Sequence, residues 1–170
     1  SMDCSQIGLH THIVGDNSTP SIHEGDILVI GSGSGKTASM QLFAKQAKSH
    51  GAKVGLIGTI HNEIGDQIIP TERTTPESFE LQQLLRRMAD DGCDTCIMEV
   101  SSLGLKAGRV AGLAFAVGIF TNFSPDHIGP GEHEDLAEYL HWKAALFPHC
   151  AAGVFNNDDA WVGKIRQGAP

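Results

Sequence analysis

Residues 26–37 read DILVIGSGSGKT, an apolar run from Ile27 to Ile30 that gives way to alternating Gly and Ser and then to Lys36 and Thr37. That is the order strand, phosphate loop, helix. Glycines let the backbone take positive φ and turn its N–H groups inward, so that a ring of donors and a helix N-terminus can hold phosphate oxygens. On this reading Gly33, Ser34 and Gly35 form the cradle, Lys36 adds a point charge and the Thr37 hydroxyl meets Mg²⁺. The strict GxxxxGK[ST] spacing asks for Gly where Ile30 stands. A flexible linker shares the GSGSG composition, but it accounts for neither the strand before the loop nor the helical pattern after it.

A chain of 170 residues fits one domain with a single core. The apolar share of 41% and mean hydropathy of -0.10 are those of a soluble globular protein. A membrane span is not expected, because no apolar run approaches the required length. The formal net charge of -8 disfavours a nucleic-acid partner. Of the four cysteines, Cys4, Cys93, Cys96 and Cys150, the second and third form a CxxC that continues as an apolar run, CDTCIMEV. Buried reduced thiols are the expectation, and with them a cytoplasmic location.

Ser1-Met2 reads as a cloning scar before the initiator methionine, and residues 1–25 as a short leader with surface histidines, His10 and His12. Beyond the loop, Met40, Phe43, Ala44 and Ala47 recur at helical spacing up to Gly51. Lys53 to Thr59 is a short strand, and Ile60 to Pro70 a hairpin around Gly65-Asp66. Thr75-Pro76-Glu77 carries a helix start, with Thr75 as N-cap, and Leu81, Leu84, Leu85 and Met88 make the buried stripe. Strands follow at Cys93 to Val100 and Ala114 to Thr121, then a helix from about Glu132 to Phe147 and a strand at Ala152 to Phe155. Apolar strands alternating with helices predict a mostly parallel α/β sheet covered on both faces. Ligands bind such sheets at the edge where the strands' carboxyl ends lie.

The unusual residues fall at that edge. Glu99 ends a strand otherwise made of Ile97, Met98 and Val100, and a buried carboxylate is costly unless paired or metal-bound; a solvated strand end is the alternative. Asp126 and His127 follow the next strand, with His127 as a metal ligand through neutral imidazole or the pair as a helix cap and a surface histidine. Lys143 lies on the apolar face of its helix with Leu136, Tyr139, Leu140, Leu146 and Phe147. There it must snorkel, pair or lose its charge, and a neutral amine can take up CO₂ as a carbamate.

The runs GLIGTIHNEIGDQIIPTERTTPES (55–78), MEVSS (98–102) with GRV (108–110), TNFSPDH (121–127), YLHWKAALF (139–147) and NNDD (156–159) resemble the central ATP-binding domain of the Mur ligases. In particular they resemble the UDP-N-acetylmuramoyl-tripeptide synthetase (MurE-type) branch, which adds the third residue of the peptidoglycan stem peptide. The resemblance implies a P-loop-containing α/β domain over residues 26–170, without the family's N-terminal uridine-binding and C-terminal domains and so not competent alone. It implies ATP, a UDP-MurNAc-peptide and an amino acid as small-molecule substrates, and a reaction through an acyl phosphate. By position, Lys36 and Thr37 meet ATP phosphates and Mg²⁺, Glu99 and His127 are metal ligands, and Lys143 is the lysine that becomes carbamylated. Thr74, Thr75, Ser101 and Arg109 match positions that contact the muramyl substrate, and Asn156 one near the nucleotide. The family loop TGTNGKTT is GSGSGKTA here, and Leu103 stands where many members have His. A nucleotide-binding or interaction module without turnover is the alternative function.

Overall fold

The computed structural model describes residues 28–31 and 37–167. The phosphate-loop assignments at Gly33, Ser34, Gly35 and Lys36, and the leader with His10 and His12, lie outside the described residues.

Among the described residues seven strands form two ladders. β1 (Leu28–Gly31) pairs in parallel with β6 (Phe115–Phe120), which pairs in parallel with β7 (Cys150–Phe155). In the other ladder β2 (Val54–Ile57) pairs in parallel with β5 (Thr95–Met98), and β3 (His61–Ile64) and β4 (Gln67–Pro70) extend it as an antiparallel hairpin. β5 runs in contact with β1 where the ladders meet. The expected mostly parallel sheet is therefore present, with the Gly65-Asp66 hairpin as its antiparallel margin.

Side-chain alternation explains why helices cover both faces. All residues of β2 and β5 are buried. Val54, Leu56 and Ile97 pack with Met40, Ala44 and Ala47 of α1 (Thr37–Ser49). Their neighbours Ile57, Cys96 and Met98 pack with Leu81, Leu84 and Met88 of α2 (Ser78–Asp90). Gly55 leaves room within β2 for Met88, whose Sδ would lie 2.4 Å from a Cβ there and would have to move. A third cluster joins Phe120, Phe123, Tyr139, Phe147 and Ile165, contributed in part by α4 (Leu136–Ala144) and α5 (Val162–Arg166). Cys93, Cys96 and Cys150 are free thiols, and burial pushes those of Cys96 and Cys150 up to about 12. None of the helices among the described residues is long and apolar enough to cross a membrane.

Several boundaries differ from expectation. α2 begins at Ser78 after an uncapped Glu77, because the Thr75 hydroxyl is committed elsewhere. α4 is shorter than the expected span from Glu132 to Phe147: the Asp135 carboxylate caps it by accepting from Glu138 N at 2.8 Å. It ends at Ala144, ahead of a 3-10 turn at Phe147–His149, where Pro148 cannot donate into a continuing helix. β7 starts two residues early, at Cys150. A short helix not foreseen, α3 (Ser102–Lys106), follows β5 with Ser101 as its cap, accepting from Gly104 N at 3.0 Å.

Candidate functional site

Glu99 follows β5 and remains in register, its N–H donating to Ile57 O at 2.8 Å. The residue is only 5% exposed, which excludes a solvated strand end. Its Oε2 accepts from the Thr59 hydroxyl at 2.8 Å, and that hydroxyl lies 3.0 Å from Thr74 Oγ1. Its carbonyl accepts from Thr75 Oγ1 at 3.0 Å, and Thr75 Oγ1 in turn accepts from Ser101 N at 2.9 Å. Thr75 is wholly buried, so it braces the end of β5 and presents no surface to a ligand. Arg109 donates from Nη1 to Thr75 O at 3.2 Å and pairs through Nη2 with Glu77 Oε1 at 2.9 Å. Its buried Nε has no hydrogen-bond partner among the described residues. The structure thus brings Glu99, Thr74, Thr75, Ser101 and Arg109 into one continuous network. Thr59 joins it unforeseen, because an exposed threonine after a strand carries no sequence signal.

Lys143 sits in the last turn of α4 and is 9% exposed. Its amine is not snorkelled: it stands over the Tyr139 ring, 5.5 Å from the centroid. Burial pulls it down to about 8, against the opposing fields of Glu99 and Asp126. Among the described residues no carboxylate forms an ion pair with it.

His127 is directed at carboxylates of its own loop, with Nδ1 3.3 Å from Glu132 Oε1 and Nε2 3.7 Å from Asp126 Oδ1. Its ring meets that of Tyr139 edge-on at 5.5 Å. Among the described residues no group of three or more His, Cys, Asp or Glu is arranged to hold a metal ion. Glu99 and His127 share the edge without converging on a common centre.

The remaining assigned positions lie on the same edge. Gly31 of β1 pairs with Phe120 of β6, so the end of β1 lies beside the strand that leads to Asp126 and His127. Thr37 opens α1. Asn156 ties β7 to β6, donating from Nδ2 to Thr121 O at 2.8 Å and accepting from Asp158 N at 3.0 Å. His133 was missed altogether. It is fully buried, with Nε2 2.8 Å from Ser102 Oγ and its ring stacked on Tyr139; flanked by acids in sequence, it reads as a surface residue.

Residues 30–170 match the Mur ligase middle domain. The chain is 42% identical over 147 residues to UDP-N-acetylmuramoyl-L-alanyl-D-glutamate--2,6-diaminopimelate ligase 1 of Clostridium acetobutylicum, covering 86% of this chain and 30% of that protein. It is 45% identical over 149 residues to the corresponding ligase of Alkaliphilus metalliredigens, covering 87% and 30%. A solved structure of a UDP-N-acetylmuramoyl-L-alanyl-D-glutamate--2,6-diaminopimelate ligase superposes with a TM-score of 0.75 at 29% identity, over 86% of this chain and 30% of that one. The chain therefore spans about 30% of the length of these relatives.

Proposed function

We propose, from the premise that the chain belongs to the Mur ligase family through its middle domain, that it is the nucleotide-handling core of an ATP-dependent amide ligase of peptidoglycan precursor synthesis. The whole enzyme joins an amino acid, as third stem-peptide residue, to UDP-MurNAc-dipeptide. The reaction belongs to the cytoplasm, where its nucleotide-linked substrate is made.

The observation that carries the reading is the buried Glu99 carboxylate at the edge that also holds Lys143. Two such groups in an apolar setting are costly, and a ligand that needs both offsets the cost. The γ-phosphoryl group of ATP passes to a substrate carboxylate oxygen, leaving ADP and an acyl phosphate. An amine then attacks the acyl carbon, the amide forms and inorganic phosphate departs. Lys36 and the loop amides of Gly33, Ser34 and Gly35 orient the phosphates. Thr74, Ser101 and Arg109 face the muramyl substrate, while Thr75 holds the end of β5 for them. Asn156 stands at the nucleotide end of the edge.

The donor chemistry fits Mg²⁺, a hard cation that takes oxygen ligands. Thr37, Glu99 and a carbamylated Lys143 would hold it through oxygen, joined by the His127 imidazole once that ring turns from Glu132, and when bound it would neutralise charge developing on the phosphates. The lowered Lys143 amine supports the carbamate, because CO₂ adds only to the neutral form. Addition converts a cation that repels metal into an anion that binds it.

Isothermal titration calorimetry with Mg-ATP tests the reading, with saturable heat as the expected result. No heat at millimolar nucleotide overturns it. The departure of the loop, GSGSGKTA, from the family pattern favours a second reading, a nucleotide-binding module without turnover. Binding without substrate-dependent phosphate release in the full-length protein supports that one instead.

A further inference from the structure

Helices α3 and α4 pack against one another, and the fully buried His133 lies between them. It precedes the Asp135 cap of α4 by two residues. Its Nε2 lies 2.8 Å from Ser102 Oγ on α3. Its ring stacks on Tyr139 of α4 with centroids 5.0 Å apart and planes inclined by 20°. Tyr139 is itself fully buried and central to the edge: its hydroxyl donates to Asp126 Oδ1 at 3.5 Å, His127 meets its rim, and the Lys143 amine stands over its ring. One histidine therefore touches both the helix that follows Glu99 and the ring that carries Lys143.

We propose that His133 is a positioning residue, which fixes the Tyr139 ring against α3 and through it aims the Lys143 amine at the strand-end edge. Its importance for catalysis rests on the ligase reading above; the coupling itself does not. Stacking alone asks only for an aromatic side chain. The Ser102 bond adds what a phenyl ring lacks, a fixed rotation about the ring axis. The remaining nitrogen, Nδ1, is buried without a hydrogen-bond partner among the described residues and lies 3.7 Å from Glu138 Oε2. Lys106 at 2.8 Å and the Glu134 N–H at 2.7 Å help keep Glu138 ionised, at about 2. A proton on Nδ1 faces that carboxylate favourably, whereas a lone pair there would be repelled. The tautomer assigned by this argument has Ser102 donating to Nε2 and the proton on Nδ1.

Tyr139 is the single tyrosine of the chain, so ¹³C-tyrosine labelling yields one ring to observe. The experiment compares the parent with His133→Phe, which keeps the stack and drops the bond, and Ser102→Ala, which drops the same bond from the other side. Tyr139 ring resonances are recorded, the His133 tautomer is read from ¹⁵N shifts, and acetylation of Lys143 is measured by peptide mass spectrometry. Lys48 of α1, paired with Glu63 of β3, is the internal reference. Both variants are expected to move the Tyr139 resonances and to raise Lys143 acetylation relative to Lys48 by about threefold or more, since modification follows the population in which the amine is accessible. Folded variants that melt earlier with the Lys143 to Lys48 ratio unchanged overturn the proposal, as does a proton on Nε2 in the parent. Should His133→Phe fail to fold, Ser102→Ala decides. Failure of this coupling with Mg-ATP binding intact leaves the ligase reading standing; coupling without nucleotide binding removes that reading and keeps His133.

Discussion

The Lys143 amine stands 5.5 Å from the centroid of the Tyr139 ring, one turn back on the same helix. A cation over an aromatic face recovers part of its lost hydration, yet burial prevails and the amine falls to about 8. At that value roughly one amine in ten is neutral at pH 7, against about one in 2,500 for an ordinary lysine. The ring thus keeps the ammonium tolerable while burial keeps the free base within reach.

That balance has a consequence for stability. Lys143 falls from its ordinary 10.5 to about 8 in the folded protein, so between those values the unfolded chain holds the proton and the folded one does not. The Lys143 contribution grows with pH across that window, by on the order of 3 kcal/mol at most, while above 9 the buried Cys96 and Cys150 thiols, raised from 9.0 to about 12, act in the opposite direction. Urea denaturation from pH 7.5 to 9, below the range in which the thiols act, should show the rise in the parent and lose it in Lys143→Met. A parallel rise in the variant would assign the slope to other groups.

At the acid end two groups act in sequence. Burial holds His133 below its ordinary 6.5, against the opposing field of Glu138 and with Lys106, His127 and Lys143 adding to the depression. Because the folded imidazole resists the proton, its contribution is complete above 6.5 and is lost as pH falls. Glu138 is held at about 2 against an ordinary 4.5, chiefly by Lys106 and the Glu134 N–H, so its contribution is present above 4.5 and is lost as pH drops toward 2. Melting temperatures should therefore decline in two stages. His133→Phe should flatten the first and Glu138→Gln the second; a single stage unaffected by either would refute the assignment.

Thr75→Val should destabilise the fold by about 1–3 kcal/mol, the cost of leaving a buried donor and acceptor unsatisfied, since its hydroxyl serves both Glu99 O and Ser101 N. Thr74→Val, at a half-buried position, should cost less than about 1 kcal/mol. Denaturant midpoints compare them directly, and equal losses would contradict the distinction between brace and open contact.

That pair marks where sequence reasoning stopped. Glu99 and Lys143 were legible because each is a charged residue set in an apolar pattern, an anomaly visible in a few neighbouring residues. The helical stripe of Leu81, Leu84 and Met88 was legible for the same reason. Thr75 looked like a helix cap because its partner, the Glu99 carbonyl, lies 24 residues away. His133 looked solvated because its burial is made by α3 and by Tyr139, contacts that no periodicity announces. The aim of His127 toward Glu132 depends on the path of the GPGEH loop (129–133), which two glycines at positive φ, Gly129 and Gly131, bend back. Those angles are tertiary outcomes, and composition alone does not specify them.

Glu99→Gln separates a ligand from a structural acid. The glutamine carbonyl can still accept from Thr59, and the change removes a buried charge that forms no ion pair among the described residues, so the melting temperature should stay close to the parent's. If Glu99 binds Mg²⁺, losing the charge should weaken Mg-ATP binding by at least about tenfold, the lower range for disturbing a metal site, while metal-free nucleotide binding barely changes. Lys36→Ala is the contrast, because a lysine that faces phosphate acts on the nucleotide itself and should weaken both kinds of binding alike. Calorimetric titrations with and without Mg²⁺ on the two variants give four affinities. A Glu99→Gln loss of equal size with and without the metal would make Glu99 a structural acid held by Thr59 and Ile57.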